Sequence, residues 1–87
     1  MHVEVLVFGQ VAEIAAAPLL HVEVNPAGDV QHGARVDEVL RAMGEQHPSI
    51  AFALASARLA VNHAFATSDT RVHARDEVAL IALVGGG

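Results

Sequence analysis

The chain has 87 residues, 53% of them hydrophobic, and a formal charge of −5 at pH 7. This is enough for one small domain with a real core, and too apolar for intrinsic disorder. Five Arg and no Lys leave no basic stripe for nucleic acid, and the lack of Cys excludes disulfides, thiolate zinc sites, iron–sulfur clusters and thiol nucleophiles.

In chain order, His2 to Phe8 is rich in β-branched residues and predicts a strand, its near-continuous apolarity suggesting cover on both faces. Gly9-Gln10 breaks it, and Val11 to Ala17 predicts a short helix stopped by Pro18. Leu20 to Val24 alternates as a second strand, and Asn25-Pro26-Ala27-Gly28-Asp29 is a turn cluster. Val36, Val39, Leu40 and Met43 fall at helical spacing, predicting an amphipathic helix from about Arg35 to Gln46. Asp37 and Glu38 suit the dipole at its start, but no Ser, Thr or Asp stands at the cap. Ile50 to Ala57 is ambiguous, a short helix being one reading. Leu59 to Asn62 reads as a strand, Asn62-His63 as a turn, and Val78 to Val84 as a last apolar strand.

The core must be built from small pieces, since Ala and Val supply most of the apolar content and three Phe are the only aromatics. Strand–strand–helix–strand–strand, with apolar terminal strands, predicts an α+β fold. Its two terminal strands lie parallel in the middle of a mixed sheet with one main helix packed across it: a β-grasp, or ubiquitin-like, arrangement. The expected organisation is a body over residues 1–81 and an extended tail over residues 82–87. Val3 to Leu20 is apolar on average, but Glu4, Gln10 and Glu13 interrupt it and no basic residue precedes it, so it is not read as a targeting segment. No run approaches the roughly 18 apolar residues of a membrane helix. The expectation is a cytoplasmic protein with neither nucleic acid nor membrane as partner.

The sequence ends Ala82-Leu83-Val84-Gly85-Gly86-Gly87. Glycines can lie extended in a narrow channel because no Cβ obstructs them. Six extended residues would carry a terminal carboxylate ~20 Å from the body. Taken alone, three terminal glycines are better read as a frayed end. The six histidines (His2, His21, His32, His47, His63, His73) follow no ligand spacing along the chain and are read as surface residues, with no metal expected. Ser49, Ser56 and Ser68 lack an activating context, and no helix follows the terminal glycines to make a phosphate cradle. A carrier fits these absences better than an enzyme.

Three segments carry a family resemblance. Val5-Leu6-Val7-Phe8-Gly9-Gln10-Val11-Ala12-Glu13-Ile14, Ala34-Arg35-Val36-Asp37-Glu38-Val39-Leu40, and Val61-Asn62 with Asp76-Glu77-Val78-Ala79-Leu80-Ile81 and Gly86-Gly87 resemble the MoaD/ThiS-type sulfur carriers, closest to molybdopterin synthase small subunits. The family's Pro-Pro is Ala82-Leu83 here, its glycine before Asp-Glu-Val is Arg75, and its helix-capping Thr is Arg35. The resemblance implies that Gly87 is adenylated by a MoeB-like adenylyltransferase using ATP, then thiocarboxylated. The sulfur would go to molybdopterin in a pocket of a MoaE-like large subunit. Gly86 and Gly87 would be the reactive tip, and Leu83, Val84 and Gly85 the threading segment. Phe8 and Ile81 are candidates for docking, with core burial the competing fate of each. The chain itself would bind no cofactor and act as a protein co-substrate. Carriers for thiamine, cysteine or tRNA thiolation, a ubiquitin-like modifier, and a binding module with an idle tail remain as alternatives.

Overall fold

The computed structural model describes residues 1–82. Their elements are β1 (His2–Leu6), α1 (Gly9–Ala15), β2 (Leu19–Glu23), β3 (Ala34–Arg35), α2 (Val36–Gln46), α3 (Ala51–Leu54), β4 (Ala57–Val61), β5 (Ala64–Phe65), β6 (Arg71–Val72) and β7 (Val78–Ala82), with 3₁₀ turns at Val30–His32 and Pro48–Ile50. The sheet order is β2-β1-β7-β4-β5, and β3 pairs with β6 separately. β1 and β7 run parallel, with Leu6 beside Ala79, while β1–β2, β4–β7 and β4–β5 are antiparallel. The terminal strands are thus parallel neighbours inside the sheet, and α2 lies in the crossover between the halves. This is the β-grasp fold, a mixed sheet with α2 as its main helix.

The core is dominated by Val, as the composition requires. Val3 and Val5 of β1, Val22 of β2, Val39 and Met43 of α2, and Val78 of β7 are each at most 1% exposed. Fully burying an aliphatic side chain of this kind contributes about 1.5–3 kcal/mol. Beyond this, β1 departs from the expectation. Its side chains alternate, with Val3 and Val5 buried and His2 and Glu4 exposed. The helices cover only one face of this strand, so the polar residues that looked like interruptions of an apolar run are the outer face itself.

The helix ends differ in instructive ways. α1 begins at Gly9, whose φ of 54° a glycine tolerates, and stops when Ala16 turns left-handed at φ 58°, ahead of Pro18. α2 starts one residue after the expected Arg35, which sits at the cap without a side-chain acceptor to offer. Glu38 supplies the missing satisfaction. Its Oε1 accepts the Arg35 N–H at 2.8 Å and its Oε2 the Ala27 N–H at 2.7 Å, tying the helix start to the turn before it. These two backbone donors hold the Glu38 carboxyl below the ordinary range, against a smaller opposing effect of desolvation. Gly33, at φ 77°, lies so close to β6 that a Cβ there would stand 2.7 Å from the Val72 carbonyl oxygen. Among the described residues, no helix is long and apolar enough to cross a membrane.

Candidate functional site

Leu83, Val84, Gly85, Gly86 and Gly87, the residues expected to form the threading segment and reactive tip, lie outside the described residues. Ala82, assigned to the tail by sequence, belongs to β7 and pairs with Ala57 of β4. The body determines where that strand points. Because β7 runs parallel to β1 with Ala79 beside Leu6, it heads toward the end of the sheet where β1 leaves for α1. Phe8 lies at this end and is 55% exposed, and Ile81 is partly exposed on the outer face of β7. Neither is buried in the core, the competing fate weighed for both. Leu6, Ala60 and Ala79 are also partly exposed, so the outer face is mildly apolar near the exit of β7. The Arg58 guanidinium, on the strand position opposite Ile81, stands 4.3 Å from the Phe65 ring centroid.

The start of β7 is fixed by a clamp that sequence reading treated only as a motif. Asn62 and His63, at φ 51° and 72°, make the left-handed turn between β4 and β5. Asn62 then reaches across to the approach of β7. Its Nδ2 donates to Asp76 Oδ1 at 3.1 Å, its Oδ1 accepts the Glu77 N–H at 2.9 Å, and its own N–H donates to the Glu77 carbonyl at 2.8 Å. Asp76 Oδ2 accepts the His73 N–H at 2.8 Å. Val61-Asn62 and Asp76-Glu77-Val78 are therefore two halves of one hydrogen-bonded joint that sets the register of the terminal strand.

Burial alone would raise the Asp76 carboxyl, but the bonds from His73 and Asn62 outweigh it and hold Asp76 below the ordinary carboxylate range. The folded state therefore takes up this proton less readily than the unfolded chain, so the contribution of Asp76 is complete above an ordinary Asp pKa of about 3.9 and is lost as pH falls through the lowered folded value. Glu38 acts with the same sign. We expect urea-unfolding stability to decline below about pH 4, and an Asp76→Asn variant to show a shallower acid decline than the parent.

Histidines that are far apart in sequence also meet. The register opposes His2 to Glu23 and Glu4 to His21, bringing His2, Glu4 and His21 together on the exposed face at the opposite end of β1 from Phe8. Linear spacing gave no sign of this cluster; the strand alternation His2-Val3-Glu4 and His21-Val22-Glu23 carries it once the two strands are paired antiparallel.

The ThiS family model matches residues 5–87. The chain belongs to the ThiS family. Solved structures similar to this ThiS-family chain include small archaeal modifier protein 1 from Haloferax volcanii, 24% identical over all of both chains with a TM-score of 0.75. A second is a molybdopterin converting factor subunit 1 from Pyrococcus furiosus, described there as putative, 20% identical over 97% of this chain and 99% of that one with a TM-score of 0.72. A third, 23% identical over all of both chains with a TM-score of 0.60, is in the complex of subunits 1 and 2 of molybdopterin-converting factor from Helicobacter pylori 26695. At these identities the likeness establishes the shared fold. No curated protein sequence matches the chain.

Proposed function

We propose that this chain is a sulfur carrier that works as the small subunit of a molybdopterin synthase. The observation that carries the reading is the ThiS match, which runs through the terminal Gly86-Gly87 on a β-grasp body whose last described strand leads toward them. A carboxylate is a poor electrophile, so the Gly87 oxygen first attacks the α-phosphate of ATP in an adenylyltransferase, releasing pyrophosphate and forming an acyl-adenylate. A sulfur nucleophile supplied by a partner displaces AMP and leaves a thiocarboxylate. The loaded tail enters the large subunit, where the thiocarboxylate sulfur bonds to the pterin precursor and water cleaves the acyl–sulfur bond, restoring the Gly87 carboxylate. Each of the two dithiolene sulfurs takes one such transfer. Glycine at the last positions lets the tail pass through a channel too narrow for side chains. Phe8, Ile81 and the surrounding apolar outer face would dock the partner beside that channel.

A ubiquitin-like modifier is the second reading, favoured by the full-length likeness to small archaeal modifier protein 1. It shares the acyl-adenylate but transfers Gly87 to a lysine amine of a target. Expression of an N-terminally tagged chain in its source cell separates the two. A carrier gives a single band and co-purifies a molybdopterin synthase large subunit, whereas a ladder of higher-mass conjugates would contradict the carrier proposal.

A further inference from the structure

The exposed end of the β1–β2 pair has an arrangement that sheet stability does not require. His2 and Glu4 on β1, with His21 and Glu23 on β2, form a two-by-two block in which each histidine faces a carboxylate across the strands and the histidines meet on the diagonal. The His2 and His21 rings meet edge to edge through their nitrogens, with centroids 5.2 Å apart and His2 Nε2 3.1 Å from His21 Nδ1. Glu4 Oε2 is 3.5 Å from the same His21 Nδ1. One donor atom from each of His2, Glu4 and His21 falls within 4.8 Å of the others.

We propose that these three side chains bind a divalent transition-metal ion of the Zn2+ type, with His2 Nε2, His21 Nδ1 and a Glu4 carboxylate oxygen as ligands. Two nitrogens bound tetrahedrally at 2.0–2.1 Å stand about 3.3 Å apart, close to the separation already present here. An imidazole and carboxylate set suits Zn2+, Ni2+ or Cu2+ and disfavours Mg2+, which takes oxygen ligands in an octahedron. The surroundings support this use of His2. Its other nitrogen, Nδ1, lies 3.2 Å from Glu23 Oε1, the carboxylate–histidine pairing that fixes the tautomer and frees Nε2 for a metal. Glu23 is held in turn by the terminal ammonium of Met1, 3.5 Å from its other oxygen. On binding, the ion replaces the His2–His21 hydrogen bond, and the proton on His21 moves from Nδ1 to Nε2. Three protein ligands leave one tetrahedral position for water. The ion would cross-link β1 to the edge strand β2, at the end of β1 remote from Phe8, so its binding does not depend on the tail chemistry.

The test is calorimetric titration of the full-length, untagged, chelator-stripped chain with ZnCl2, since a histidine tag would itself bind the ion. One saturable equivalent is expected, together with a rise in Tm. His2→Ala and His21→Ala should each weaken binding at least ten-fold and remove the Tm shift. Glu23→Ala should weaken it about ten-fold through the lost hydrogen bond to His2 Nδ1. His63→Ala, which removes an exposed histidine outside the cluster, should bind as the parent does, and MgCl2 should give no saturable heat. All these side chains are exposed, and circular dichroism of each variant checks that it remains folded. Failure of the parent to bind one equivalent, or equal Zn2+ affinity in the parent and the His2→Ala and His21→Ala variants, would overturn the proposal.

Discussion

Removing Gly86 and Gly87 is expected to abolish sulfur transfer while leaving the folded body as stable as the parent. Among the described residues, the buried ones that hold the fold together run from Val3 to Leu80, and β7 pairs with β4 as far as Ala82 beside Ala57. That network is made by residues that precede the tail. The chemistry needs the final two residues, on the carrier reading. Truncation leaves a carboxylate at Gly85, about 7 Å short of its former position in an extended tail, which is far outside the reach of an active site built for in-line attack. Gly86→Ala is the milder form of the same experiment, adding one Cβ inside the channel, and should slow both loading and discharge. Cofactor synthesis restored in cells by the truncated chain would favour a binding module with an idle tail.

Leu80→Ala should be among the most damaging single truncations within the body. Leu80 is 2% exposed and stands opposite Leu59 on β4, itself 1% exposed. Truncating a leucine at such a site typically costs about 2–5 kcal/mol in transfer free energy and residual cavity. An 87-residue domain has roughly 4–13 kcal/mol in total at typical stability per residue. A large part of its stability would be lost, with a Tm decrease of at least ~8 °C by the usual scaling for domains of this size. The neighbouring Ile81→Ala, on the outer face, should change stability by less than about 1 kcal/mol and instead weaken partner binding. Urea unfolding of the two variants checks the contrast; a cost below about 1 kcal/mol for Leu80→Ala would show that β7 is not packed as described.

The main architecture was legible because its signals are local. Alternation marked β2, helical spacing of Val36, Val39, Leu40 and Met43 marked α2 to within one residue at its start, and apolar terminal strands pointed to the β-grasp order. The features that were missed depend on pairing across the sheet. The two-residue strands β3, β5 and β6 are too short for a periodic pattern. His2-Val3-Glu4 looked like part of a strand covered on both faces, because in an Ala- and Val-rich chain the buried and outer positions differ only at His2 and Glu4. The cap of α2 was invisible at Arg35, because the satisfying group is Glu38 acting from inside the first turn. Asn62 and Asp76 were visible as motif residues, but their bond spans 14 positions and follows from fold topology. The same holds for His2 and His21. Phe8 and Ile81 could not be assigned to core or surface from sequence, since an apolar residue at a strand end satisfies either.

The central claim is that the terminal carboxylate is the group consumed, and intact-mass spectrometry addresses it directly. The purified chain is incubated with ATP, a MoeB-type adenylyltransferase and a sulfur donor, and compared with a sample lacking ATP. The carrier account predicts that the full-length chain gains the mass difference between one sulfur and one oxygen, confined to the C-terminal peptide and dependent on ATP. An unchanged mass in the presence of an adenylyltransferase that loads its own carrier in parallel would contradict it.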